Sequence, residues 1–85
     1  MKLIWAEEAW DDYLYWQNQD KKLVKRINNL IKDIQRHPHQ GIGAPEPLRH
    51  QWSGYWSRRI TREHRLVYKV NEDAIRIAQC RYHYG

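Results

Sequence analysis

The chain has little of what a small protein can use as a staple. Its one cysteine, Cys80, leaves no disulfide to close within the chain, so a disulfide-stapled secreted miniprotein is excluded. A fold held by packing alone suits a reducing, cytoplasmic setting. Long hydrophobic runs are missing as well. The longest, Leu3 to Ala6, is followed at once by Glu7 and Glu8, too short for a spanning helix or for the apolar part of a signal peptide. A soluble, unprocessed protein with no membrane partner is expected. Four glycines and three prolines in 85 residues make no flexible linker, and there is neither a repeat nor a low-complexity tract. So short a chain holds one core, which predicts a single domain over residues 1–85. Phe is absent, whereas there are five Trp and six Tyr. Such flat rings with polar tips line a core edge or stack on bases, and most of them are assigned to the core.

Charge is abundant and unevenly placed. Fifteen Lys and Arg against ten Asp and Glu give +5, but residues 1–20 carry one Lys and five acids. Residues 21–85 therefore hold a net +9, which points to a polyanionic partner.

Lys2 to Trp5 reads as a short strand. From Ala6 to about Asn18, the residues Ala6, Ala9, Trp10, Tyr13 and Leu14 recur at helical spacing, and the acids of the first turns suit the helix dipole. Asp20 is a candidate N-cap for a second helix, whose stripe of Leu23, Val24, Ile27, Leu30, Ile31 and Ile34 runs to His37 and stops at Pro38. The opposite face of that helix, with Lys21, Lys25 and Lys32 among others, is a solvated surface or a contact for phosphates. A loop from His37 to Pro47 rich in Gly and Pro ends at Glu46, set between Pro45 and Pro47. Strands follow over Tyr55–Ile60, Arg65–Val70 and Ala74–Arg81, with a short extra one expected around Leu48–His50. Consecutive strands with tight connections make antiparallel hairpins, so the expected fold is α+β, an N-terminal strand and two helices on one face of a small antiparallel sheet.

Alternation sets the register. Trp56, Ile60, Leu66, Tyr68 and Val70 share the inward parity, and keeping them on one side requires a connection of odd length. Arg59 and Arg65 then lie opposite each other on the open face. Like charges across a hairpin repel, so either an anion sits between them or each reaches solvent separately.

Neither Cys80 with His83 nor His37 with His39 is matched by a second pair at zinc-site spacing, so no metal and no cofactor is expected. Cys80 lies in an apolar strand, as a small core residue would, and no Gly-rich phosphate loop is present. What remains is Glu46, Arg49, Arg59, Arg65, His83 and Tyr84. Cleaving RNA through its own 2′-hydroxyl needs a base, an acid for the leaving 5′-oxygen and cations for the phosphorane. Glu46 as base, His83 as acid and the arginines as clamp would meet that need; equally, Glu46 reads as a loop carboxylate and His83 as part of a frayed tail.

The stretches Trp10-Asp11-Asp12-Tyr13, Pro45-Glu46-Pro47-Leu48, Ser53 to Ile60, Glu63 to Tyr68 and Cys80 to Tyr84 closely resemble the YoeB (Txe) toxin family of the RelE/ParE toxin-antitoxin superfamily, end to end and without gaps. The resemblance implies a RelE-like fold and a ribosome-dependent messenger-RNA endonuclease that cuts the A-site codon and is silenced by a YefM-like antitoxin, with a homodimer also in keeping. It places the base at Glu46, the acid at His83, the phosphate-stabilising arginine at Arg65 with Arg59 assisting, and the terminal aromatic at Tyr84. Arg49 stands where the family usually has Lys, which keeps the charge but alters any proton transfer there. Trp52 and the terminal Gly85 also depart from the pattern. The alternative is a non-enzymatic relative, a ParE-like gyrase poison or an RNA-binding translation inhibitor.

Overall fold

In the computed structural model, which describes residues 1–83, Asp20 separates two helices, α1 (Glu7–Gln19) and α2 (Lys21–Arg36). Its carboxylate accepts the N–H groups of Lys22 (3.0 Å) and Leu23 (3.4 Å), donors that the first turn of a helix otherwise leaves unpaired. The expected stripe of α2 is buried at Ile27, Leu30, Ile31 and Ile34. Helix α1 differs from expectation. Ala9 is buried as its spacing predicts, but Trp10 and Leu14 stay exposed, and Trp16, outside the expected set, is buried instead. Aromatic rings surround this helix, so periodicity alone does not choose a face; Ala9 allows close approach to Cys80, and Trp16 finds a partner there for its indole N–H. Trp5, Trp10 and Tyr13 form a ring cluster with centroids 4.9–5.9 Å apart where α1 meets the first strand.

The strands β1 (Lys2–Trp5), β2 (Glu46–Pro47), β3 (Trp56–Arg59), β4 (Arg65–Asn71) and β5 (Ala74–Gln79) form one sheet in the order β1-β5-β4-β3-β2. The sheet is mixed: β1 runs parallel to β5, while all other pairs are antiparallel. A parallel partner needs a long crossover, and the rest of the chain between β1 and β5 supplies it. The strand expected around Leu48–His50 is displaced. Pairing to β3 occurs at Glu46–Pro47, and a single 3-10 turn covers His50–Trp52. His50 lies in the left-handed region (φ 56°), which ends the extended run.

Register across the β3–β4 hairpin is as the alternation requires: Trp56 faces Tyr68, and Arg59 faces Arg65. The same parity carries Arg58 inward, fully buried beneath the sheet. Its guanidinium bonds Asp33 of α2, the carbonyls of His37, Gln40 and Ile42 (3.1 Å), and the Tyr68 hydroxyl oxygen (3.2 Å). Asp33 in turn accepts Ile42 N–H (3.0 Å), and the Tyr68 hydroxyl donates to Pro38 C=O (2.6 Å). Two glycines make the wrapping feasible. A Cβ on Gly41 (φ 112°) would fall 2.0 Å from the Asp33 carboxylate, and one on Gly43 (φ 81°) 2.8 Å from Leu30. The stretch from His37 to Ala44 is thus tied around one buried cation.

The Arg58 guanidinium, followed by the Ile42 N–H, holds the Asp33 carboxyl below the usual carboxylate range. Its folded value lies below its unfolded one, so the stabilisation it gives is complete above about pH 4 and is lost as acid takes the pH down through the folded value. Asp12 has the opposite sign, since burial raises it and protonation on acidification relieves a cost. In urea titrations between pH 6 and pH 3, Asp33→Asn should flatten the acid loss of stability seen in the native chain. Arg58→Leu should cost about 3 kcal/mol or more, because three carbonyls and a carboxylate lose their donor. An unchanged acid slope in the first variant, or a near-native midpoint in the second, would contradict this account.

Candidate active site

Glu46 enters the sheet directly after the loop that Arg58 holds, and Arg59 N–H to Gly43 C=O (2.7 Å) ties the same loop to β3. Register places Glu46 opposite Ser57, Ser57 opposite Val67 and Val67 opposite Gln79. This row crosses the face of the sheet that turns away from the helices. Arg59 and Arg65 form the neighbouring row, about 7 Å along the strands. Ser57 and Val67 are buried although they belong to this face, while Glu46 and Arg59 are exposed. Glu46 also lines a groove of about 320 Å³ with Leu48, Arg49, His50 and Trp52. Spacing in the sequence assigns no role to His50 or Trp52, because only the 3-10 turn brings them to the groove.

The two arginines of the facing pair are not equivalent. Arg65 Nη1 donates to the carbonyls of Thr61 (2.8 Å), Arg62 (3.0 Å) and His64 (3.2 Å), all within the β3–β4 turn. Carbonyl oxygens therefore offset one of the two charges and relieve part of the repulsion across the pair. Arg59 is exposed, and its own C=O accepts from Arg26 of α2 (3.0 Å).

The segment that carries His83 is not frayed at its root. Strand β5 stops at Gln79 because Cys80 turns its backbone to α1: its N–H donates to Asp12 (3.0 Å), its C=O accepts from the Trp16 indole (2.8 Å) and its thiol points to Ala9 C=O (3.5 Å). Burial pushes the Asp12 carboxyl up, and the Cys80 N–H opposes that in part. Two residues on, Tyr82 C=O accepts from Arg65 N–H (3.0 Å), and Tyr82 N–H donates to His64 Nδ1 (2.7 Å). The Arg81 guanidinium sits 3.5 Å from the centroid of the Tyr15 ring and 4.5 Å from that of Tyr82. Tyr82 has φ 64°, a left-handed conformation that costs a non-glycine residue about 1–3 kcal/mol. These contacts bring exposed His83 to follow a residue fastened to Arg65. Tyr84, expected at the same site, lies outside the described residues.

Among the described residues no cluster of three or more His, Cys, Asp or Glu is placed to hold a metal ion. Register thus sets a carboxylate, Glu46, one row from two cations, Arg59 and Arg65, on one face of the sheet, with His83 following the segment tied to Arg65.

A family model for YoeB-like toxins of bacterial type II toxin-antitoxin systems matches residues 5–84. The chain belongs to this family. It is 68% identical over 84 residues to Toxin YoeB of Escherichia coli (strain K12), covering 99% of this chain and 100% of that one. Among solved structures it is similar to a YoeB/ParE toxin from Agrobacterium tumefaciens, with a TM-score of 0.96 at 50% identity over 99% of this chain and 100% of that one. It also resembles two Staphylococcus aureus structures, a YoeB-YefM complex (TM-score 0.92, 48% identity) and a YoeB dimer (TM-score 0.93, 49% identity), each over 99% of this chain and 98% of the other. The YoeB-like resemblance and the α+β fold expected from the residues are both shown by these matches.

Within this YoeB-like chain, Cys80 is a packing residue. It is fully buried, and burial pushes its thiol far above the ordinary value. Iodoacetamide followed by intact-mass measurement should leave Cys80 unmodified in buffer and alkylate it in denaturing urea. Labelling at comparable rates in both would refute the buried assignment.

Proposed function

We propose that this toxin is an endoribonuclease of the cytoplasm that cuts messenger RNA in the ribosomal A site by attack of the 2′-hydroxyl on the adjacent phosphate. In this reading Glu46 takes the 2′-hydroxyl proton, and His83 donates one to the leaving 5′-oxygen. Arg65, with Arg59, offsets charge on the phosphorane, while Arg49 and Tyr84 help to bind the substrate. Base, acid and cations are side chains, so the proposed mechanism uses no metal or other cofactor. The observation that carries the reading is the register that sets Glu46 one row from the Arg59–Arg65 pair, together with the 3.0 Å bond from Arg65 N–H to Tyr82 C=O that ties the segment leading to His83 to that pair.

Ribosome dependence follows from exposure. The backbones that carry Glu46 and lead to His83 are anchored, yet both residues are exposed. A free strand samples many conformations, whereas a codon held in the A site presents its 2′-hydroxyl near in-line with the phosphate, and closure against the ribosome removes water from the exposed groups. A YefM-like antitoxin as partner, and a second copy of the chain as another, are supported by the two Staphylococcus aureus assemblies.

Single-turnover cleavage of one message, naked and ribosome-bound, tests this directly. Cutting should be efficient only on the ribosome, and Glu46→Gln and His83→Ala should each lower its rate at least about a hundredfold while the protein stays folded. Equal rates on naked and bound message would leave a general ribonuclease; arrested translation with intact message would leave a non-enzymatic inhibitor.

The net charge of +9 beyond residue 20 also bears on silencing. The inhibitory antitoxin segment should be acidic, should cover or distort the open face, and should bind less tightly as salt is added. Contact confined to α1, with Arg59 and Arg65 still accessible, would be the contrary result.

A further inference from the structure

We infer that His64 is a positioning residue, one that fixes the segment delivering His83 by accepting the main-chain N–H of Tyr82. Its consequence for catalysis rests on the cleavage reading above. The last residue of the β3–β4 turn and the first of β4 hold both polar atoms of the Tyr82 backbone: the N–H goes to His64 Nδ1 at 2.7 Å, and the C=O accepts from Arg65 N–H at 3.0 Å. Tyr82 is thereby kept in its left-handed conformation, which an L residue holds only where its surroundings over-determine it. His83 is the next residue, so its backbone position relative to Arg65 depends on this pair of bonds.

The platform is rigid enough to serve. Arg65 caps three carbonyls of the turn, His64 N–H reaches Thr61 Oγ1 (3.2 Å), and Ile60 N–H reaches His64 C=O (3.0 Å). The angle of the His64 ring is set by Trp16, which meets it edge to face at 4.8 Å and 77°. That same tryptophan holds Cys80 C=O, two residues before Tyr82. With Nδ1 as acceptor, the neutral ring carries its proton on Nε2. Neither packing against Trp16 nor the stability of the turn requires an acceptor at Nδ1; the tail does.

Three variants separate these roles. His64→Phe keeps a ring against Trp16 and removes the acceptor, His64→Asn loses the ring but returns an oxygen at the position of Nδ1, and His64→Ala removes both. Amide exchange at Tyr82 is read on the free toxin, and single-turnover cleavage on ribosome-bound message is read against toxin concentration, with urea midpoints to correct for stability. The Phe and Ala variants should lose protection at Tyr82 and lower the saturating rate at least about tenfold with little change in the half-saturating concentration, whereas Asn should recover the rate to within about threefold. Native protection and rate in His64→Phe, or a His64→Asn as defective as His64→Ala, would overturn the inference. Failure of the native toxin to cut any message would remove the cleavage reading. The exchange measurement would then still decide whether His64 holds the tail, and unchanged protection in all three variants would show that it does not.

Discussion

A guanidinium sealed beneath the sheet is the constraint on which the rest of this small protein depends. Taking Arg58 out of water is costly, and the cost is met only if every donor finds an acceptor in good geometry. The acceptors are drawn from α2, from the loop after it and from β4, so one side chain makes three parts of the chain interdependent. Among the described residues no buried side-chain nitrogen or oxygen lacks a hydrogen-bond partner. The consequence reaches the surface: the loop wound around Arg58 leads straight into Glu46, whose strand is only two residues long and could not hold its own place.

A second anchor acts at the other end of the chain. Helix α1 contributes Ala9, Asp12 and Trp16 from one face to the backbone and thiol of Cys80, and the β3–β4 turn takes over at Tyr82. The helices therefore do more than supply half of the hydrophobic core. They also fix the points where the chain enters and leaves the open face, on which the Glu46 and Arg59 side chains stay exposed. This division suits the proposed reading, in which a bound substrate completes the environment of exposed side chains carried on a rigid scaffold.

Much of this was legible in the sequence, for identifiable reasons. The stripe of α2 repeats cleanly over four turns and is bounded by Asp20 and Pro38, and the β3–β4 hairpin could keep its apolar residues on one side in only one parity. The pairing of Arg59 with Arg65 followed from that parity. Where signals were weaker, reading failed in specific ways. Aromatic residues all round α1 hid its buried face. The pairing of β2 begins two residues early because backbone geometry at His50, which no residue type announces, ends the strand. A charged residue at an inward position is discounted by any hydrophobic pattern, so Arg58 drew no attention although its parity matches that of Trp56 and Ile60.

The sequence by itself determined the class of fold, the boundaries of the long elements, the hairpin register, the family and the set of residues offered to chemistry, because each of these depends on local periodicity or on side-chain type. Only the tertiary structure decided that β1 lies parallel beside β5, that Arg58 organises the loop before Glu46, and that Asp12, Trp16 and His64 secure the root of the tail. Those are contacts between residues 10 to 72 positions apart, made by hydrogen bonds whose partners have no mark in their own neighbourhood of the chain. Which partners meet, and which of them are buried, is a property of the folded whole.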